Sequence, residues 1–172
     1  MAADLNMIVD VVDNKNHVVG KAERRTLLRA RLNFRTVHVL LFDYLGRLVL
    51  QLLPPDHLRN PGRLGSSVAG YLRSMEGYED AAKRKLWEEL RVTSRLKNIG
   101  QFKMVDEGSR KFVGVFIGKL QQHPKFEHDE IFELIYLERR DLITQIRKNH
   151  ENFTPTFLLV YEHFRRWEQK SS

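Results

Sequence analysis

The chain has 172 residues and is 42% hydrophobic, which is enough for one well-buried domain and too little for two ordinary ones. It contains no cysteine, which excludes disulfides, thiolate zinc sites and a cysteine nucleophile. Its 29 Lys and Arg residues outnumber 22 Asp and Glu residues, and the resulting net charge of +7 suits a phosphate-bearing ligand.

The same composition sets expectations for location and partners. No stretch approaches the roughly 18 consecutive apolar residues of a membrane span. The first ten residues also lack the basic and then apolar layout of a signal peptide. We therefore expect a cytoplasmic protein without a membrane partner. The chain has no zinc-finger spacing, no aromatic ribonucleoprotein motif and no concentrated basic tail, so a nucleic-acid partner is the less favoured alternative.

The first part of the chain is rich in β-forming residues. Runs at 7–12 and 17–21 flank a cluster of turn formers and predict a β-hairpin. The basic segment 22–32 predicts a short helix or an ordered connection, with arginines that are solvated or approach a phosphate. Two strongly β-forming runs, 36–42 and 47–52, follow and predict central strands.

Two further features of this part bear on function. His38 lies inside the run 36–42 with no second histidine at ligand spacing, so we interpret it as packed or hydrogen-bonded. The loop 54–65 is marked by Pro-Pro and Pro-Gly and is long enough to border a pocket. Its Asp56, His57 and Arg59 either touch a ligand or belong to an exposed loop.

The rest of the chain alternates between strands and helices. A short strand at 66–70 leads into a helix at 79–90, and strands are predicted at 99–105, 111–120 and 131–137. Helices follow at 138–149 and 154–169, the second with Thr154 as N-cap and Pro155 at the first helical position. This order predicts an α/β fold in which a mixed sheet lies between helices.

The segment 70–92 carries the strongest chemical signal. Its helix has four apolar residues at spacings that form one stripe: Ala81, Ala82, Leu86 and Leu90. The other side carries Arg84, Lys85, Glu88 and Glu89, and the pairs Arg84–Glu88 and Lys85–Glu89 can each meet across one turn. Carboxylates on one rigid surface suit Mg²⁺ or Mn²⁺. A solvated, salt-bridged helix face is the alternative interpretation.

The same segment resembles the Nudix box. That pattern is Gly, five residues, Glu, seven residues, Arg-Glu, an aliphatic, any residue, Glu-Glu, any residue, Gly and an aliphatic. Seven positions are in register: Gly70, Glu76, Arg84, Leu86, Glu88, Glu89 and Val92. Lys85 stands where the family has the first metal-binding glutamate, and Arg91 stands where it has glycine.

The resemblance covers nearly the whole chain. The hairpin, the runs TVHVLLFDYLGRLVLQ and PGRLGSSVAGYL, and the ending FTPTFLLVYEHF are similar to the Nudix subgroup that contains isopentenyl-diphosphate isomerase and its hydrolase-like relatives. It implies the Nudix fold over residues 1–172, a single domain with an N-terminal β-hairpin extension. Members often pair as dimers, and the resemblance leaves a homodimer open.

The resemblance also implies a chemistry. Nudix enzymes cleave a nucleoside diphosphate linked to another group, using Mg²⁺ or Mn²⁺ held by the box glutamates. By position, Glu88 and Glu89 are the catalytic metal ligands. Asp129 and Glu130 are the candidates for a further carboxylate from a later loop, with Glu130 taken as the third metal ligand. Gly70 and Glu76 shape the box loop, and Arg84 is the structural partner of an acidic residue, with Glu76 as the candidate.

The departures from the family pattern define the alternatives. Lys85 leaves three outcomes open: one metal on Glu88 and Glu89, a phosphate bound by the Lys85 ammonium, or a fold that binds a nucleotide or RNA without hydrolysis. Arginine at position 91 costs about 1 kcal/mol if the helix end is left-handed. Isomerase activity is not expected, because Ala69 and Tyr71 stand where the isomerase has cysteine and histidine.

Overall fold

A computed structural model describes residues 4–171. Residues 1–3 and 172, the ends of the domain range expected from the sequence, lie outside the described residues. Within the described part of the chain, no helix is both long and apolar enough to cross a membrane.

The elements follow the order expected from the sequence, except that the end of the predicted loop 54–65 forms an additional two-residue strand. The strands are β1 (Ile8–Val12), β2 (Val18–Glu23), β3 (Phe34–Phe42), β4 (Leu48–Leu52), β5 (Leu64–Gly65), β6 (Val68–Tyr71), β7 (Lys97–Asp106), β8 (Ser109–Lys119) and β9 (Glu133–Leu137). The α-helices are α1 (Tyr78–Leu90), α2 (Arg139–Lys148) and α3 (Pro155–Ser171), and short 3₁₀ turns cover Arg24–Thr26 and His150–Asn152.

Seven strands form one mixed sheet with the order β5-β4-β3-β8-β7, in which β6 also pairs with β3 and β9 with β4. The central pair β3–β8 is parallel, whereas the pairs β3–β4, β3–β6, β4–β9 and β7–β8 are antiparallel. Strands β3 and β4 therefore lie inside the sheet, as their apolar sequences predict.

The sheet is covered on both faces. Because successive strand residues point to opposite faces, Val37 and Val39 of β3 pack with α1, whereas Leu40 packs with α2 and α3. The buried residues Leu86 of α1 and Phe157 of α3 mark the centres of the two layers. The expected α/β fold, a mixed sheet between helices, is confirmed.

The N-terminal hairpin β1–β2 forms a separate two-stranded sheet. Strand β2 continues to Glu23, which pairs with Ile8, so the basic segment 22–32 begins as a strand. Only Arg24–Thr26 is helical, as a single 3₁₀ turn, and the rest of the segment consists of turns. Of the two predictions for this segment, the ordered connection holds and the short helix does not.

The end of the box helix and the start of α3 follow from local chemistry. Helix α1 stops because Arg91 has a left-handed conformation, with φ of 55° and ψ of 34°. At the start of α3, the Thr154 hydroxyl accepts a hydrogen bond from the Phe157 N–H at 3.2 Å, which is the expected N-cap arrangement. Pro155 occupies the first helical position.

Candidate functional site

The box begins on β6, where Gly70 faces the side chain of Lys85. A Cβ atom on Gly70 would lie 2.6 Å from both Cδ and Cε of Lys85, a distance at which one group must shift. Glycine at this position therefore allows the Lys85 stem to lie against the strand. A side chain at position 70 would push the Lys85 ammonium away from its present contacts.

Glu76 and Arg84 form a two-bond ion pair. Arg84 Nε donates to Glu76 Oε1 at 2.6 Å and Arg84 Nη2 donates to Glu76 Oε2 at 2.8 Å. Arg84 Nη2 also donates to the Tyr71 carbonyl at 3.0 Å, which ties α1 to the end of β6. Burial acts to raise the pKa of Glu76, but the hydrogen bonds from Arg84 and from the Arg73 N–H outweigh it, and the net pKa is lowered.

Glu88 lies between two arginines. Arg73 Nη2 lies 3.1 Å from Glu88 Oε1, and Arg84 Nη1 donates to Glu88 Oε2 at 3.0 Å. Arg84 thus joins Glu76, which supports the loop, to Glu88 on the helix. Because each of its oxygens contacts one arginine, the Glu88 carboxylate is fixed in orientation and its charge is balanced.

Glu89 is held by one cation and one amide. Lys85 Nζ lies 2.7 Å from Glu89 Oε1, and Gln51 Nε2 of β4 donates to Glu89 Oε2 at 2.7 Å. Gln51 also donates to the Ser67 carbonyl at 2.8 Å, so its amide is fixed by the sheet. Lys85 Nζ lies 3.6 Å from Glu88 Oε2 as well, so the ammonium lies next to both carboxylates.

The charges of this cluster balance. Three carboxylates, Glu76, Glu88 and Glu89, meet three cations, Arg73, Arg84 and Lys85. The cluster is therefore neutral as it stands. Glutamate at position 85, as in the family pattern, would instead give a net charge of −2.

The later carboxylate candidate lies in a turn before β9. The Glu130 N–H donates to the Glu127 carbonyl at 3.1 Å, and Asp129 is exposed in the same turn. Across residues 4–171, no group of three His, Cys, Asp or Glu side chains is arranged to hold a metal ion. Metal binding by Glu88, Glu89 and Glu130 stays a prediction.

The N-terminal hairpin supports the box loop, a contact that the sequence did not indicate. Asp10 is buried, and its carboxylate accepts hydrogen bonds from the Ser74 hydroxyl at 2.8 Å and the Met75 N–H at 3.0 Å. Met75 has a φ of 65°, so this second bond helps to fix a left-handed residue in the loop. Arg35 binds the other end of the hairpin, with Nε 2.7 Å from Asn16 Oδ1.

Two histidines mentioned above lie outside the carboxylate cluster. His38 is buried, its Nδ1 lies 2.9 Å from Ser66 Oγ, and burial with the nearby Lys111 charge lowers its pKa to about 3. It is therefore a packed, neutral histidine, as expected. His57 is half-buried in the loop before β5, near Arg59.

A second ion-pair network lies at the β7–β8 turn. Arg59 Nη2 lies 2.7 Å from Asp106 Oδ1, and the buried Lys111 Nζ lies 2.8 Å from Asp106 Oδ2. Burial acts to raise the pKa of Asp106, but the hydrogen bonds and charges of Lys111 and Arg59 outweigh it and lower that pKa. Arg59, proposed from the sequence as a loop residue, thus fastens its loop to the sheet.

Comparison with known proteins identifies the family. The model of the NUDIX domain matches residues 32–157, which is most of the chain. The chain belongs to the Nudix family. An uncharacterised Nudix hydrolase of Yersinia pestis is 26% identical over 87% of this chain and 81% of its own length. An isopentenyl-diphosphate isomerase of Serratia proteamaculans is 26% identical over 87% of both chains, in line with the subgroup resemblance.

Solved Nudix structures have the same architecture. The crystal structure of DR0079 from Deinococcus radiodurans has a TM-score of 0.75 at 24% identity, and the match covers 92% of this chain and 98% of that one. The NUDIX domain of Shewanella oneidensis NrtR, crystallised with ADP ribose, has a TM-score of 0.61 at 16% identity over 78% and 87% of the two chains. At these identities the likeness shows the fold.

Proposed function

We propose that this Nudix protein is a divalent-metal-dependent hydrolase that cleaves the diphosphate linkage of a nucleotide or another small diphosphate. The observation that carries the proposal is the fixed pair Glu88 and Glu89, whose four carboxylate oxygens all have a hydrogen-bond donor or cation within 3.1 Å. Carboxylates that are already oriented cost little reorganisation when a cation or a phosphate approaches.

The donor set fits Mg²⁺ or Mn²⁺ once Lys85 has moved. Glu88 and Glu89 offer the oxygen ligands that such ions prefer, but the Lys85 ammonium lies 2.7 Å from Glu89 Oε1. A bound divalent ion would lower the pKa of its water and offset charge on phosphate oxygens. Gln51 binds Glu89 Oε2 and Arg73 binds Glu88 Oε1, so both carboxylates stay oriented while Lys85 moves.

Lys85 is also the proposed substrate-binding residue. Its ammonium is a flexible point charge, and a substrate phosphate is an alternative anion for it. Transfer of Lys85 from Glu89 to a phosphate would free Glu89 Oε1 as a ligand. The Gly70 position, which lacks a side chain, leaves the Lys85 stem room for this movement.

The substrate class is supported by charge and by a relative. The chain carries a net charge of +7, which attracts phosphorylated ligands. The similar NUDIX domain from Shewanella oneidensis was crystallised with ADP ribose, a nucleoside diphosphate derivative. We therefore expect a nucleoside diphosphate linked to a second group to be a better substrate than a monophosphate.

The test compares Glu89→Gln with Glu79→Gln. The first change removes the charge of a proposed metal ligand but keeps its amide contact to Gln51. The second removes the same charge from Glu79, an exposed residue of the same helix that forms an ion pair with Lys83 at 2.6 Å. With Mg²⁺ or Mn²⁺ and a panel of nucleoside diphosphate derivatives, Glu89→Gln should lose at least about 100-fold in kcat/KM, whereas Glu79→Gln should match wild type. Wild-type turnover no higher than that of Glu89→Gln would refute the hydrolase.

A second candidate function is favoured by the Lys85–Glu89 contact. Because the cluster is already neutral, the protein could bind a nucleotide or RNA without metal and without hydrolysis. Saturable nucleotide binding that is insensitive to a chelator, with no product formed, would support this module over the enzyme. Binding that requires Mg²⁺ or Mn²⁺ would favour the enzyme.

A further inference from the structure

Three segments that carry basic residues come together in the fold. Residues 21–31, 54–63 and 106–111 together contain nine Lys and Arg against four Asp and Glu, a net charge of +5 out of the chain's +7. Residues 21–31 supply +4 of that charge and are basic already in the sequence. The fold adds Arg59 and Arg110, which come from distant segments.

Direct contacts bring the three segments together. The Arg24 guanidinium lies 4.2 Å from the ring centroid of Tyr71, next to the segment that carries His57. Arg59 Nη2 reaches the β7–β8 turn at Asp106, 2.7 Å away. On the other side of that turn, Arg31 Cδ lies 3.4 Å from where a Cβ of Gly108 would be. The segments therefore border one another at the end of the sheet where β3 begins.

Arg24, Arg31 and Arg110 are among the arginines here that have no carboxylate partner within residues 4–171. Arg24 stacks on an aromatic ring and Arg110 donates to the Asn14 side chain, so neither charge is neutralised. Burial lowers the pKa of His57, and the charges of Arg59 and Arg24 lower it further against the opposing effect of Asp56. The positive potential of this surface is therefore strong enough to act on a neighbouring group.

We propose that this basic surface, formed by Arg24, Arg31, Arg59 and Arg110, binds a chain of closely spaced phosphates. Its cations are spread over three segments on an open surface, which suits an extended polyanion better than a single small phosphate. The described cavities of about 550 and 180 Å³ both lie beside Phe42, at the other end of β3. The phosphates come from a nucleic-acid backbone or from inorganic polyphosphate, and the inference does not depend on hydrolysis at Glu88 and Glu89.

The experiment measures anisotropy of a labelled oligouridylate on the full chain between about 50 and about 200 mM salt. In the triple variant Arg24→Gln, Arg31→Gln, Arg110→Gln, affinity for the oligouridylate at low salt should fall at least about tenfold. The slope of log affinity against log salt should become shallower by about 2, because each lost phosphate contact removes about 0.7 from the slope for a single strand. Competition by polyphosphate of matched length decides the source: complete displacement at equal phosphate concentration indicates general polyphosphate binding, and weak displacement indicates nucleic acid.

The matched control is Arg140→Gln, Arg147→Gln, Lys148→Gln, which removes the same charge from exposed positions of α2. The control should bind like wild type. Equal losses in the two triple variants would show that net charge alone attracts the oligonucleotide, and would overturn the proposal, as would undetectable binding by wild type at low salt. Arg24 packs on Tyr71, so its replacement also removes a packing contact, and the double variant Arg31→Gln, Arg110→Gln is therefore measured too. The double variant should show about two thirds of the change in slope and should unfold at the wild-type temperature.

Discussion

Lys85 determines the charge of the box cluster, and reversing its charge tests the cation preference of Glu88 and Glu89. In Lys85→Glu the cluster changes from neutral to −2, so we expect Mn²⁺ affinity to rise at least about tenfold, or about 1.4 kcal/mol, and hydrolysis to rise with it. Titration calorimetry gives the first quantity and an initial-rate assay the second. Lys83→Glu changes the charge of the same helix equally at an exposed position and should have little effect on either. An unchanged or lower rate in Lys85→Glu would mean that the lysine does not limit activity.

The buried His38 should make the stability of the protein depend on pH. Its pKa is about 3 in the folded protein against 6.5 for an ordinary histidine, so below pH 6.5 the unfolded chain takes up a proton that the folded chain does not. The free energy of unfolding should therefore fall as the pH drops from about 6.5 towards 3, by up to about 1.4 kcal/mol per pH unit from this residue. Above pH 6.5 this contribution is constant.

Replacing His38 should remove that dependence. His38→Leu loses the Ser66 hydrogen bond, which costs about 1 kcal/mol at pH 7.5, but its urea-unfolding free energy should decline less between pH 6.5 and 4.5 than that of wild type. His123→Gln, at an exposed position, should keep the wild-type profile. Parallel profiles for wild type and His38→Leu would contradict a neutral buried histidine.

At the same scale, the sequence revealed contacts within one helix and missed contacts between elements. Lys85 and Glu89 are four residues apart on a helix, so their meeting follows from helical geometry. The Gln51 amide and the Asp10 carboxylate reach the box from other elements, and the Arg73 guanidinium reaches Glu88 from the loop before α1. Their approach depends on how the strands pair and how the loop folds, which no local spacing encodes.

At the scale of elements, the end of α1 offers a stability test. Arg91 has a left-handed φ of 55°, which costs an L-residue about 1 kcal/mol relative to glycine. Arg91→Gly should raise the free energy of unfolding by about 0.5–1 kcal/mol. The gain is reduced by the loss of the weak hydrogen bond from Arg91 Nη1 to the Trp87 carbonyl. Arg91→Ala loses that bond without relieving the backbone, so it should be no more stable than wild type in the same thermal or urea unfolding. A destabilised Arg91→Gly would show that the side chain, and not the backbone, matters here.

Strand ends were harder to predict than strand positions. Strand β2 runs to Glu23 because Ile8 pairs with it, although Arg24 and the residues after it have the composition of a basic helix. Strand β7 begins at Lys97, two residues before its predicted apolar run, because Lys97 pairs with Ile117 on the far side of the bulge between Asn98 and Gln101. In both cases a partner strand extends an element beyond the signal in its own sequence.

At the scale of the whole molecule, the layer formed by α3 should contribute strongly to the stability of the fold. Phe157 is fully buried and stacks on Phe153 and Tyr161 with ring centroids 5.7 and 5.9 Å apart. Phe157→Ala should lower the free energy of unfolding by about 3–5 kcal/mol. Leu159→Ala, on the same helix but 38% exposed, should cost less than about 1 kcal/mol in the same urea titration. Similar losses in both variants would contradict the central place of Phe157.

The overall architecture could be predicted from the sequence, and the distribution of charge could not. Alternating strands and helices with one apolar face each define the layers, because each face has to be buried. The basic segment around Arg24 is visible in the sequence, but Arg59 and Arg110 lie tens of residues away from it. Only the pairing of β3 with β8, and the loop that Arg59 fastens to Asp106, brings them together.

The contacts of Asp10 matter for any shortened version of the protein. The match to the family model starts at residue 32, so a protein trimmed to that boundary would keep all the box residues and lose the hairpin. The Ser74 hydroxyl and the Met75 N–H would then lack their carboxylate acceptor, and Arg35 would lack Asn16. In the trimmed protein, the loop between β6 and α1 should exchange amide hydrogens faster than in the full chain. Poor turnover by such a fragment would reflect the missing support and not a defective Glu88–Glu89 pair.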